Sequence, residues 1–298
     1  MKNILKSFNY TYFVSNKIEC IRRYISGCAI RKQGISYQRI VKSLFNIKGN
    51  EIPFFDLNVN NVCSLRCKKC DQGMPYFNRR KMFAADEIIS NMNNLFRYVD
   101  YVYQIGILGG EPFLNKDLDK VIEYCCNSKK IGSIIVVTNG TIYPSEKILK
   151  SMRNKKLILG ISWYPLGDIS KRIKLIEYCK RHNINFHVRK DNWLDFGDFR
   201  RKRNYVIKEK RVAFNECFLK DCVQFNEGYL FRCTKSRLLL DQKINSPLKN
   251  EYIKIDSVQS RREMKIKLRK FYSLPYLSAC DYCNYGEKLV SIPLGEQL

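Results

Sequence analysis

Cys63, Cys67 and Cys70 fall within ten residues of one another, directly after an apolar run from Ile52 to Val59. A CxxxCxxC spacing lets one tight loop wrap three thiolates around a single metal centre. Iron–sulfur clusters usually take four cysteines, and structural zinc sites are closed by four ligands. Three therefore leave one metal position open to something that is not protein. Arg66, Lys68 and Lys69 stand among the thiols; their charge favours thiolates and offsets a negative, thiolate-bound cluster. Some forty residues on, a strand-like run ends in Gly109, Gly110, Glu111 and Pro112. Two glycines after a strand let backbone approach a ligand closely, and Glu111 adds a carboxylate suited to an ammonium group.

The pair of motifs resembles the radical S-adenosylmethionine (SAM) enzymes. The resemblance implies a 4Fe–4S cluster on Cys63, Cys67 and Cys70, whose open iron binds the amino and carboxylate groups of SAM. It also implies that Gly109, Gly110, Glu111 and Pro112 contact that cofactor. One departure stands out. The residue before the third cysteine is commonly aromatic in this superfamily and stacks near adenine, whereas here it is Lys69.

The elements that must position these groups read as strand–helix units. Strand-like runs cover 134–138, 157–162 and 184–188, and helical stretches lie between them. Leu118, Val121, Ile122 and Cys125 form one apolar stripe, and Ile169, Ile173, Ile176 and Cys179 another. Apolar strands alternating with amphipathic helices imply an α/β fold with a helix-covered parallel sheet, and chemistry in such sheets sits at the carboxyl ends of the strands. The cysteine loop, the Gly109 turn, Thr138 with Asn139, Ser162 with Trp163, and Arg189 with Lys190 all fall at such ends. The resemblance names the architecture, a partial (β/α)6 TIM-like barrel. It also places Thr138, Asn139 and Ser162 near the ribose and methionine parts of SAM.

A second cysteine group follows: Cys217, Cys222, Cys233, Cys280 and Cys283. Gly228 marks the turn of a small hairpin that ends at Cys233, and Cys280 and Cys283 form a CxxC pair. A CxxC with two distant partners is a familiar metal arrangement. The segment resembles the twitch form of the SPASM auxiliary module, which implies a second 4Fe–4S cluster on Cys217, Cys233, Cys280 and Cys283, with Cys222 as substitute. A zinc site built from the same residues is the alternative. Disulfides are not expected in the reducing cytoplasm that a cluster protein needs.

The chain has 298 residues, room for a barrel of about 200 residues and a small appendage. The expected division is a basic N-terminal extension over 1–50, the barrel core over 51–198, a basic linker over 199–216 and the cluster module over 217–298. No run approaches the ~18 apolar residues of a membrane span. The net charge of +26 includes the dense run Arg200, Arg201, Lys202 and Arg203. Such clusters suit an anionic small substrate, an anionic membrane surface touched peripherally, or nucleic acid. The first is the expectation here, and nucleic acid is not.

In these enzymes the cofactor carries the hard chemistry. The resemblance implies SAM cleavage by the cluster, which takes its electron from a donor such as flavodoxin or ferredoxin, and hydrogen abstraction from the substrate. Dehydrogenation or epimerisation would follow; for the latter, Cys126 and Cys222 are candidate thiol donors. The stretches from Gly160 to Tyr164, Asn183 to Phe186 and Asp191 to Gly197, with the Cys217, Cys222, Gly228 and Cys233 hairpin, are similar to radical SAM proteins associated with bacterial polysaccharide biosynthesis over roughly residues 52–286, which implies an activated sugar or glycan precursor. Arg189, Lys190, Asp191, Trp193 and Asp195 are the expected substrate contacts. A peptide-modifying maturase is the second reading. A zinc-stabilised nucleic-acid-binding protein is the third, but it leaves the Gly109–Pro112 turn without a purpose.

Overall fold

A computed structural model describes residues 49–298 except 79, 191, 218, 221, 286 and 287. The basic extension expected over 1–50 therefore lies almost wholly outside the described residues, as does Asp191.

Five strands run parallel in chain order: β1 (Glu51–Asn58), β2 (Tyr101–Leu108), β3 (Ile131–Thr138), β4 (Leu157–Ser162) and β5 (Asn185–Arg189). Helices α1 (Ala85–Tyr98), α2 (Leu118–Asn127), α3 (Glu146–Ser151) and α4 (Ile169–Arg181) make the returns between them. Ile52, Phe55, Ile105, Ile107, Ile134, Val136, Leu157 and Ile161 are wholly or almost wholly excluded from water. Strands buried on both faces need such continuous apolar runs, which is why β-branched residues crowd them. The fold is the expected α/β class, with a parallel sheet of the partial-barrel type.

The sixth strand–helix unit is reduced. β6 covers only Trp193–Leu194 and pairs antiparallel with β10 (Ser291–Ile292), apart from the main sheet. On the other side of β1 the sheet gains β7 (Gln224–Asn226), parallel to β1, then β8 (Tyr229–Phe231) and β9 (Tyr252–Lys254), both antiparallel. The expected hairpin is present. Its two-residue turn, Glu227 and Gly228, has φ of 46° and 76°, the left-handed pair that matches the twist of a tight hairpin. Because β7 joins β1 directly, the second cysteine segment is built onto the barrel sheet. The stretch expected as a linker contains a helix, α5 (Ile207–Glu216). Two further helices follow, α6 (Thr234–Asp241) and α7 (Arg261–Tyr272).

The first helical stripe is buried as expected: Leu118, Val121, Ile122 and Cys125 are fully covered. The second is rotated. α4 buries Arg172, Leu175, Tyr178 and Cys179, while Ile169 and Ile173 stay exposed at 44% and 46%. Arg172 lies over Gly140, where an added Cβ would come within 2.7 Å of its Cγ, and its Nε donates to the Asn139 carbonyl at 2.9 Å. That polar anchor turns the helix by about one position.

Candidate active site

The carboxyl ends of β1, β2 and β3 meet in one hydrogen-bonded knot. Asn60 is its hub. Its Oδ1 accepts from Gly110 N at 3.0 Å and Val62 N at 3.2 Å, while its Nδ2 donates to the Glu111 carbonyl at 2.9 Å. Glu111 N returns a bond to the Val62 carbonyl at 2.9 Å. The glycines are needed for this closeness. A Cβ on Gly109 would meet Asn60 Oδ1 at 2.9 Å, and one on Gly110 would meet Cys63 N at 2.7 Å and the Val62 carbonyl closer still. So the backbone that approaches Gly109 and Gly110 in this structure is that of the cysteine loop.

Glu111 is wholly buried. Its Oε1 accepts from Thr138 Oγ1 at 2.8 Å and Phe113 N at 3.1 Å; Oε2 accepts from Asn139 N at 2.8 Å. Burial raises its pKa to about 7 against the pull of those three donors. The carboxylate expected to meet an ammonium group braces the β2 and β3 ends. Pro112 follows at the start of a single 3-10 turn, Pro112–Leu114. Thr138 is spent in the same brace, and it also accepts from Gly140 N at 2.9 Å. Asn139 reaches the cysteine loop, with Nδ2 3.5 Å from Cys63 Sγ and 3.1 Å from Ser64 Oγ. Ser64 and Thr141 hydroxyls lie 2.6 Å apart.

The three thiols of the loop act electrostatically on one another. Burial pushes Cys63 up to about 12, with the Leu65 N–H opposing, and pushes Cys70 up to about 11, opposed by the Met74 N–H. Cys67 is raised by burial too, and Gln297 Nε2, donating to its Sγ at 3.3 Å, counters that rise. Among the described residues no three Cys, His, Asp or Glu side chains converge as they would on one metal ion. A 4Fe–4S cluster takes one thiolate per iron, so its ligands stand around a volume and need not meet at a point.

A strap over this loop is absent from the sequence reading. Residues 296–298 run antiparallel to 66–68: Lys68 N donates to the Glu296 carbonyl at 2.8 Å, Leu298 N to the Arg66 carbonyl at 2.9 Å, and Arg66 N to Gln297 Oε1 at 2.8 Å. Lys69, the residue that departs from the superfamily, pairs with Asp195 at 2.9 Å. Asp195, expected to contact substrate, is thus engaged in holding the loop.

The other expected substrate residues gather at the β4 and β5 ends. Ser162 closes β4 opposite Arg189. Lys190 Nζ lies 5.3 Å above the Trp163 ring, and Trp193 packs edge-on against Tyr164 at 5.5 Å. Both Arg189 and Lys190 are exposed. Cys126 is misplaced for hydrogen donation. It is buried near the end of α2, within the field of Lys156, which precedes β4. A helix returning from β2 ends at the amino ends of the strands, the opposite end from the cysteine loop. Cys222 is half-buried, and its N donates to the Leu219 carbonyl at 2.8 Å.

Cys217, Cys233, Cys280 and Cys283 come together from the end of α5, the start of α6 and the turn Ser278–Tyr282 with the residue after it. Burial raises all four, and Cys217 feels each of the other three thiols. Lys235 joins this group to the first. It is almost fully buried, donates to the Asp71 carbonyl at 2.9 Å and stands 3.5 Å from Asp71 Oδ1. Burial works against its charge, but Asp71 and the thiols of Cys283, Cys70 and Cys233 more than offset that and hold its pKa above the usual lysine value. No local pattern marks Asn60, Arg172, Lys235 or Gln297 as special; each matters because of what it meets.

Residues 57–164 match the family model described as the Radical SAM superfamily. The GTP 3′,8-cyclase of Stenotrophomonas maltophilia (strain R551-3) is 31% identical over 97 residues, 32% of this chain and 29% of that protein. Molybdenum cofactor biosynthesis protein 1 of Dictyostelium discoideum is 27% identical over 178 residues, 54% of this chain and 28% of that protein. The matches span less than half the length of these curated relatives. The crystal structure of BtrN in complex with AdoMet and 2-DOIA aligns over 83% of this chain and 97% of that one, with 14% identity and a TM-score of 0.46. The match to the Radical SAM superfamily model thus takes in the cysteine loop, the Gly109 turn and the β3 and β4 ends.

Proposed function

We propose that the chain is a radical SAM enzyme acting on an anionic small molecule, an activated sugar or glycan precursor, by dehydrogenation or epimerisation. The observation that carries this reading is the knot at the β1–β3 ends. Three thiols in one loop are locked by Asn60, Gly110 and Asn139 to the strand ends where ligands of parallel sheets bind. The residues fit the cofactors such a domain implies. Three cysteines leave one iron of a 4Fe–4S cluster for SAM, and beside the knot a fully buried guanidinium, Arg172, has Nη1 and Nη2 without a hydrogen-bond partner among the described residues. A positive group of that kind suits a carboxylate.

With the cluster reduced by an external donor, bound SAM would supply the radical that takes hydrogen from the substrate. The protein's own work is positional. Cys63, Cys67 and Cys70 would hold the iron. Asn139 and Gln297, donating to Cys63 and Cys67, stabilise thiolate charge. The Glu111 brace keeps β2 and β3 in register with the loop. Arg189, Lys190, Trp163 and Trp193 offer charge and aromatic surface at the neighbouring strand ends, suited to an anionic ligand. The names of the curated relatives also point to a phosphorylated substrate, GTP. Cys217, Cys233, Cys280 and Cys283 would hold a second cluster, with Cys222 the remaining thiol donor. Among the described residues no helix is long and apolar enough to cross a membrane. We place the reaction in the cytoplasm, where thiols stay reduced.

The test is release of 5′-deoxyadenosine from SAM by anaerobically reconstituted, reduced protein, with Cys67→Ala alongside. Release that disappears in the variant supports the reading. Zinc bound in place of iron after reconstitution, with no release, refutes it.

A further inference from the structure

We infer that a cleft beside the second cysteine group binds the diphosphate of a small phosphorylated ligand. Its volume is about 360 Å³, within the range of small-molecule sites, and it lies between the 201–205 stretch and Asn284 and Lys288. Arg201, Lys202, Arg203 and Lys288 make up four of its seven lining residues, and no acid is among the seven.

Two features separate it from an ordinary solvated face. The first is how the neighbouring charges are spent. Arg200, next in the chain, is paired with Asp198 at 3.1 Å. Arg201 and Lys202 are exposed, and among the described residues neither side chain has an ion-pair or hydrogen-bond partner.

The second is a wall fixed in advance. Arg203 Nη1 donates to the Asp198 carbonyl at 2.7 Å, the Tyr282 carbonyl at 2.8 Å and the Arg201 carbonyl; Nη2 donates to Asn284 Oδ1 at 3.1 Å. Backbone bonds from Arg203 and Tyr205 to Asp281 close the same wall. Asn204 holds a left-handed φ of 56°, a conformation that asparagine tolerates. Arg203 is thus a girder, and the cations left for a ligand are Arg201, Lys202 and Lys288. Lys288 Nζ is 3.4 Å from Tyr205 Oη and stands over its ring, so the buried tyrosine holds this ammonium at the edge of the cleft. Because the wall is fixed, the ordering cost on binding a compact polyanion is confined to the Arg201, Lys202 and Lys288 side chains.

The site goes beyond the radical reading and stands without it, because binding needs neither iron nor SAM cleavage. The experiment is calorimetric titration of inorganic pyrophosphate into the full chain, with and without reconstituted iron, at about 0.15 M ionic strength. The double variant Arg201→Ser/Lys202→Ser should bind at least about tenfold more weakly, since two unit charges near the anion are lost. Arg269→Ser/Lys270→Ser, the same charge change on exposed residues of α7, should leave affinity unchanged, and Lys288→Ser alone should weaken it. Equal weakening in both double variants would mean attraction to bulk charge and would overturn the site, as would absence of binding by the unmodified chain. Failure of SAM cleavage in a chain that still binds pyrophosphate would count against the radical reading and leave this one intact.

Discussion

Replacing Gly110 with alanine tests the central claim that the Gly109–Glu111 turn exists to seat the cysteine loop. The added methyl would lie 2.7 Å from Cys63 N, about 0.7 Å inside ordinary contact at 3.4 Å, and closer still to the Val62 carbonyl. Every obstructing atom is backbone, so no rotamer change relieves the clash. Its φ lies outside the left-handed range, which leaves sterics as the only reason for glycine here. Either the strand end or the loop must retreat by most of an ångström, breaking the Gly110 N–Asn60 and Glu111 N–Val62 bonds. Overpacking of this kind costs about 3 kcal/mol at the upper end, equivalent to a fall in Tm of about 6–12 °C for a domain of this size. Movement of the loop by that distance should also cost about 10²-fold in SAM cleavage. Thermal unfolding of the iron-free chain reads the first effect; iron content after reconstitution and 5′-deoxyadenosine release read the second. A Gly110→Ala chain that melts, loads iron and cleaves SAM like the unmodified one would refute the steric account of the knot.

Glu111, at about 7, holds a proton in the folded state that the unfolded chain loses near 4.5. Stability should therefore fall as pH rises between those values, by about 3 kcal/mol from this group; Asp56 and Glu251, also raised by burial, add to the slope, so denaturant unfolding at pH 5 and pH 7 should show a smaller fall in Glu111→Gln than in the unmodified chain. Gln297→Leu removes an N–H donor from Cys67 Sγ and should lower the potential of the first cluster by about 40 mV, or about 1 kcal/mol, because such bonds favour the more negative reduced state. An unchanged midpoint in an EPR-monitored titration would discount that bond. If the second cysteine group holds the proposed cluster, Lys235→Met should lower the potentials of both, since its charge stands within reach of Cys70, Cys233 and Cys283; a shift in only one would contradict its bridging position. Cys126→Ser should leave the distribution of products and the uptake of solvent hydrogen unchanged, because the thiol lies at the far end of the sheet.

The parts of this protein legible in one dimension are those whose physics is local. Backbone sterics and side-chain period show in a short window. Thus the strand at 157–162, the buried stripe of α2, the Glu227–Gly228 turn and the chelating spacing of Cys63, Cys67 and Cys70 were all readable from their own neighbours. Type and spacing gathered five cysteines in the last third of the chain, and the resemblance to the twitch module chose Cys217, Cys233, Cys280 and Cys283 among them. What only the tertiary structure decided concerns surfaces that meet across long separations. Gln297 finds Cys67 from 230 residues away, and Lys235 finds Asp71 from 164. The same holds for burial. Glu111 looks like an open ligand carboxylate until β3 supplies Thr138 and Asn139 to close over it. Helix α4 shows its isoleucines to water because Arg172, a residue that an apolar period passes over, has a carbonyl to reach beneath Gly140. A pattern states which residues can be buried; which partner buries them depends on the whole packed chain.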